Sequence, residues 1–147
     1  MDLKDILSSW EVDCRLDANK LDESSRITPT LHAKYLSLLS QAKLQLKQAE
    51  FKQKDLMKYK FLWYNGKMDR DTLERMGWEP DPFNGLKIMK GDMAYYVDSD
   101  PELVASEARI QLLTVIIDTL KEILDNLKWR HSTIKNMIDY KKYEAGF

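Results

Sequence analysis

The sequence predicts a mainly α protein built on two long helices, and three observations carry that reading. Only 5 Gly and 4 Pro occur in 147 residues, too few for the many tight turns of an all-β sandwich. Residues 30–64 and 102–145 each run without either one, and in both stretches apolar residues recur at three- and four-residue steps, the period of an amphipathic helix. Leu, Lys, Glu, Gln and Ala, all good helix formers, dominate these runs. With 44% hydrophobic and 32% charged residues, the chain suits one domain with a real core. We divide that domain, residues 1–147, into an N-terminal part (1–70) with a basic helix, an irregular linker or hairpin (71–98) and a C-terminal helical oligomerisation part (99–147).

In chain order, a short amphipathic helix is expected over residues 3–12, where Leu3, Ile6, Leu7 and Trp10 share a face and Asp2 stands ready as N-cap. Residues 17–26 are polar and weakly patterned. Thr28-Pro29 then gives a cap followed by proline at the first helical position, so the first long helix starts there. Its apolar stripe is Leu31, Tyr35, Leu38, Ala42, Leu46, Ala49, Gln53, Leu56 and Trp63, and Gly66 offers a helix end. Residues 67–85, punctuated by Gly77, Pro80, Pro82 and Gly85, are read as irregular with at most a short helix at 71–76. Two short apolar runs, 86–89 and 93–97, flank Lys90-Gly91-Asp92 and suggest a small β-hairpin. Ser99 or Asp100 before Pro101-Glu102 repeats the cap-then-proline signature. The second long helix follows, with Ala105, Leu112, Leu113, Ile116, Ile117, Leu120, Ile123, Leu124 and Leu127 on one wide face. Two poor helix formers, Ser132-Thr133, mark an expected break before a last amphipathic piece with Ile134, Met137, Ile138 and Tyr140. Two helices cannot cover an apolar arc that wide in so small a chain, which predicts a homo-oligomer.

Charge is unevenly placed. The chain carries −1 overall, but residues 31–70 hold nine Lys/Arg against three acids, while residues 1–30 and 71–147 are both net acidic. Lys43, Lys47, Lys54 and Lys58 fall within an arc of ~60° at about 100° per residue, apart from the apolar stripe. The cationic run ends in Met57-Lys58-Tyr59-Lys60-Phe61-Leu62-Trp63-Tyr64-Asn65-Gly66-Lys67, positive charge for phosphates beside flat rings for unstacked bases. Single-stranded nucleic acid is therefore the expected ligand, since duplex readout needs base-edge donors such as Arg that this segment lacks. The candidate contacts are Lys47, Lys54, Lys58, Lys60, Lys67 and Tyr64. Lys60 alone sits on the apolar face, where an ammonium is costly, so the helix is expected to leave the core there. The alternative is a helical oligomeric scaffold or adaptor that binds only proteins, its lysine stripe merely solvated.

Catalytic constellations are missing. His32 and His131 belong to no metal-ligand pattern, Cys14 has no cysteine partner, and no glycine-rich phosphate loop occurs. Asp98-Ser99-Asp100 matches a helix cap better than a calcium loop. No enzyme, cofactor or metal is expected. The lone cysteine, the absence of a secretory pattern at the N-terminus and the short aliphatic runs point to a reducing cytoplasm without a membrane span.

At the basic and aromatic segment the chain resembles the UvsY-type recombination mediator proteins of T-even-like phages. Their signature is a basic residue, any residue, a second basic residue, then a pair of aromatics, a small polar residue and glycine. It stands here as Lys58-Tyr59-Lys60-Phe61-Leu62-Trp63-Tyr64-Asn65-Gly66. An Asp-x-x-Lys-Leu element near the start (Asp17 to Leu21) and a tail of aromatic, acid, Ala and Gly (Tyr143 to Gly146) extend the match in the right order. The second basic position, often arginine in the family, is Lys60, which keeps charge but loses planar bidentate contact. Residues 72–85 look like extra loop. The resemblance implies a non-catalytic mediator in the host cytoplasm that binds single-stranded DNA and helps load a phage recombinase onto strands covered by single-strand-binding protein, with Lys58 and Lys60 as the contact pair. It also implies a ring, heptameric or hexameric, closed through the C-terminal helices. Leu120, Ile123, Leu127, Ile134, Met137 and Ile138 are the expected oligomerisation residues.

Overall fold

The computed structural model describes residues 2–147. The first helix, α1 (Leu3–Asp13), starts at Asp2, whose carboxylate accepts from the Lys4 N–H at 3.2 Å. A short helix, α2 (Leu21–Arg26), precedes the first long one, α3 (Thr28–Tyr64), with a single residue between them. Thr28 does not cap α3 as expected. The Ile27 and Leu31 N–H groups already bond in helical register to the carbonyls of Glu23 and Ile27, and the Thr28 hydroxyl donates back to the Ser24 carbonyl at 3.2 Å.

The end of α3 is set by Gly66, whose φ of 69° suits a residue without Cβ. The Gly66 N–H bonds to the Trp63 carbonyl and the Lys67 N–H to that of Leu62, closing the helix with paired reverse bonds. Beyond it come α4 (Arg70–Met76), a 3₁₀ turn (Lys90–Asp92) and α5 (Met93–Asp98). The hairpin expected over 86–97 is therefore wrong, and no strand occurs among the described residues. An apolar run as short as 93–97 suits helix or strand equally by pattern. Aromatic packing accompanies the outcome: Tyr96 on α5 meets Phe83 edge-on at 5.1 Å, and Phe83 lies 5.6 Å from Tyr64.

The second long helix, α6 (Pro101–Glu144), is capped by Asp100, which accepts from the Glu102 and Leu103 N–H groups at 3.0 and 3.1 Å. It is unbroken at Ser132-Thr133. Leu127, Arg130 and Ile134 are all buried, and this inward register, carried through the weak dipeptide, outweighs local propensity. No helix among the described residues is long and apolar enough to cross a membrane.

The chain forms two compact units, one of residues 2–45 with Leu113–Phe147 and the other Leu46–Leu112; α3 and α6 supply both. The core of the first unit gathers Ile6, Leu21, Leu31, Tyr35, Leu39 and Ala42 with Leu113, Ile116, Ile117, Leu120, Ile123, Leu127 and Ile134. Four of the residues expected to join protomers, Leu120, Ile123, Leu127 and Ile134, are thus turned inward and leave no surface for a second copy, whereas Met137 is half-buried and Ile138 exposed.

Polar groups fix this core. Tyr35 donates its hydroxyl to Asp13 at 2.8 Å and meets Trp10 edge-on at 5.4 Å, while Lys34 pairs with Asp13 at 2.6 Å. The buried Arg130 spreads its guanidinium over the Ser24 and Asp13 carbonyls, a fork that only arginine offers. Burial raises the Asp13 carboxyl, yet hydrogen bonds from Lys34 and Tyr35 outweigh it and hold it below the usual 3.8. Burial, assisted by Asp13, pushes Tyr35 up to about 12. The stability due to Asp13 is therefore present above its ordinary value and lost as pH falls through the lower folded value. That due to Tyr35 is present below pH 10 and lost between 10 and about 12. Thermal midpoints followed by circular dichroism should show both flanks, and Tyr35→Phe should remove the Tyr35 share of the alkaline one; an unchanged alkaline flank in that variant would contradict the assignment.

Candidate nucleic-acid interface

The second half of α3 presents two chemically different faces within the unit Leu46–Leu112. Leu46, Ala49, Gln53, Leu56 and Trp63 are half-buried, as their spacing predicts, and Lys60 is buried among them. On another side Lys47, Lys54 and Lys58 are exposed, as is Lys67 past the helix end. Phe51 and Phe61, also exposed, share that side: at about 100° per residue Lys47, Phe51, Lys54, Lys58 and Phe61 lie within an arc of ~80°, and they extend over ~21 Å of helix.

Lys60 is where the structure departs most from expectation. Instead of marking the edge of the core it is 2% exposed. Its ammonium lies 3.1 Å from Asp100 and 3.2 Å from Glu102, and 4.6 and 4.1 Å from the ring centres of Trp63 and Trp78. Two indole faces and two carboxylates replace its water, which is how a buried cation becomes tolerable. Tyr64 is likewise engaged, donating to Asp100 at 2.7 Å. The indole N–H of Trp78 donates to Glu102 at 3.1 Å and that of Trp63 to the Glu79 carbonyl at 2.6 Å. Burial raises the Asp100 carboxyl, but hydrogen bonds from Tyr64, the Leu103 N–H and Lys60 prevail and hold it below its usual value. The Tyr64 phenol is driven well above its ordinary value by burial and by Asp100. Neither Lys60 nor Tyr64 offers its polar group to a phosphate in this arrangement. Both tie the end of α3 to the start of α6.

The six sequence-predicted contacts thus divide. Lys47, Lys54, Lys58 and Lys67 are open to solvent, Lys47 resting 3.4 Å from Glu50, whereas Lys60 is buried and the half-buried Tyr64 commits its hydroxyl to Asp100. Phe51 was not singled out in the sequence, and Phe61 only as part of the aromatic run; the signal that joins them is their place on the lysine arc. Sequence reasoning also missed Trp78, Asp100 and Glu102, which nothing local could link to Lys60.

A basic, ring-bearing helix face on a two-helix scaffold acquires a family through comparison. A family model described as "Recombination, repair and ssDNA binding protein UvsY" matches residues 9–147. The chain belongs to the UvsY family. Recombination protein uvsY of Enterobacteria phage T4 is 24% identical over 146 residues, covering 99% of both chains. Crystal structures of the bacteriophage T4 recombination mediator protein UvsY share the fold. Lattice type II superposes with a TM-score of 0.79 at 23% identity over 99% of both chains. For lattice type IV the values are 0.78 and 22% over 98% of this chain and 99% of that one. A UvsY family protein is thus one of recombination, repair and single-stranded DNA binding, and its mainly α architecture is shared with the T4 structures.

Proposed function

We propose that this UvsY family member is a non-catalytic recombination mediator. It binds single-stranded DNA along the exposed face of α3 and assists loading of a phage recombinase onto strands held by single-strand-binding protein, in the host cytoplasm. The observation that carries the DNA-binding reading is the placement of Lys47, Lys54 and Lys58 on one exposed arc, with Lys67 following the helix end. Cations so arranged neutralise phosphates in sequence. Lys60 is a positioning residue that holds α3 to α6 through Asp100 and Glu102.

Each protomer then supplies a modest site, and a ring of copies, heptameric or hexameric, raises the effective concentration of the remaining sites once one is engaged. Wrapping a strand across several protomers would loosen the hold of single-strand-binding protein without nucleotide hydrolysis. The surface left for assembly on the end of α6 includes Met137, Ile138, Tyr140 and Tyr143, the last three exposed. Ile138→Glu/Tyr140→Glu is expected to lower the mass measured by light scattering and leave the helical circular dichroism intact; an unchanged mass would place the interface elsewhere. The DNA-binding reading itself is tested by titrating a labelled single-stranded oligonucleotide with the intact protein and following fluorescence anisotropy. Saturable binding that weakens with salt supports it. No binding would leave a scaffold that engages only proteins.

A further inference from the structure

We infer that Phe51 and Phe61 are base-stacking platforms, so that α3 engages unpaired bases as well as phosphates; this rests on the single-strand-binding reading above. Most aromatic residues of this unit are used internally: Trp63, Tyr64, Trp78, Phe83 and Tyr96 each lie 5.6 Å or less from another ring. Among the described residues Phe51 and Phe61 pair with no other ring, and they remain 64% and 56% exposed. A single exposed phenylalanine needs no explanation. Two of them on the arc that carries Lys47, Lys54 and Lys58 do, because a solvated lysine face gains nothing from exposed rings.

Their positions suit a strand. They stand ten positions apart, ~15 Å along the axis, with Lys54 and Lys58 in between. The Lys54 ammonium lies 5.8 Å from the centre of the Phe51 ring, so charge and a flat apolar surface are presented side by side. At the other end Phe61 lines an open groove of about 490 Å³ with Asn65, Lys90, Met93, Val97 and Asp98. Its walls are mostly apolar and carry one basic side chain, Lys90, and one carboxylate, Asp98. Lysines select a polyanion, and bare rings select one whose π faces are accessible. That describes a single strand rather than a duplex, whose bases are already stacked.

The test compares two labelled probes of equal length, a single-stranded oligonucleotide and its abasic counterpart, against the full chain and its Phe51→Ala, Phe61→Ala and doubly substituted forms. Both positions are exposed, so the substitutions should leave circular dichroism and light-scattering mass unchanged. Each single variant is expected to bind the base-containing probe about fivefold or more weakly, the loss of one base–aromatic stack. Abasic binding and the salt dependence should stay at wild-type values. If wild-type protein binds the base-containing probe but the phenylalanine variants match it within about twofold, stacking is wrong and the phosphate reading stands. If the variants lose both probes together with oligomer mass, the rings join copies of the chain and the inference is overturned. If the wild-type protein binds neither probe, the single-strand-binding reading itself fails.

Discussion

Lys60→Ala is expected to destabilise the unit Leu46–Leu112 by an amount near the lower end of the ~3–5 kcal/mol seen when one partner of a buried ion pair is removed. Asp100, itself 2% exposed, would keep the Tyr64 hydroxyl and two backbone N–H donors but lose its only cation within ion-pair distance among the described residues. Glu102 is half exposed and can recover water. The indoles of Trp63 and Trp78 would lose the charge lying over them. Lys60→Met fills most of the space and should still be destabilising, whereas Lys60→Met with Asp100→Asn removes both charges and should recover much of the loss. Urea unfolding of the three variants measures this. A Lys60→Ala protein within ~0.5 kcal/mol of wild type, the range of an ordinary surface change, would mean that the buried pair contributes little.

The second large effect belongs to the exposed arc. Lys54→Ala/Lys58→Ala removes two ammonium groups that form no ion pair within 4.0 Å among the described residues, so stability should change little while single-strand affinity drops. Two lost phosphate contacts should make the dependence of log K on log salt shallower by ~1.4 for each protomer engaged, at about 0.7 per contact on a single strand. The drop in affinity is expected to be roughly tenfold or more, because a closed ring repeats each loss at every protomer. Unchanged affinity and slope at moderate salt would remove α3 from the DNA path.

The helical frame was readable because its signals are local. Asp2, Pro101 and Gly66 punctuate the chain by backbone rules, and the stripe from Leu31 to Trp63 is a matter of spacing. Failures arose where the deciding contact joins distant segments. Residues 86–89 form no strand and 90–97 turn into a 3₁₀ turn and α5 rather than a hairpin, in company with Tyr96 packing on Phe83, thirteen positions away in sequence. Ser132-Thr133 stayed helical because the inward face of Leu127, Arg130 and Ile134 continues through it. Lys60 stood out as an anomaly on an apolar face, and that anomaly was sound, but its partners Asp100 and Glu102 lie some forty residues further on. A buried ion pair and a phosphate contact call for the same residue type, and only the fold tells which is present. The family pattern of two basic residues separated by one carries the same ambiguity, since in a helix adjacent-but-one side chains project about 200° apart. Lys58 and Lys60 therefore face opposite ways, and this geometry sends one to solvent and the other to the core.

Comparing the salt dependence of single-stranded oligonucleotide binding for the wild-type, Lys58→Ala and Lys60→Ala proteins, at a temperature where all three are folded, tests this division most directly. The predicted result is a slope shallower by ~0.7 per protomer engaged for Lys58→Ala and a wild-type slope for Lys60→Ala, whatever its affinity. A Lys60→Ala slope reduced as much as that of Lys58→Ala would show that Lys60 leaves its carboxylate cage to bind phosphate, and would contradict the account.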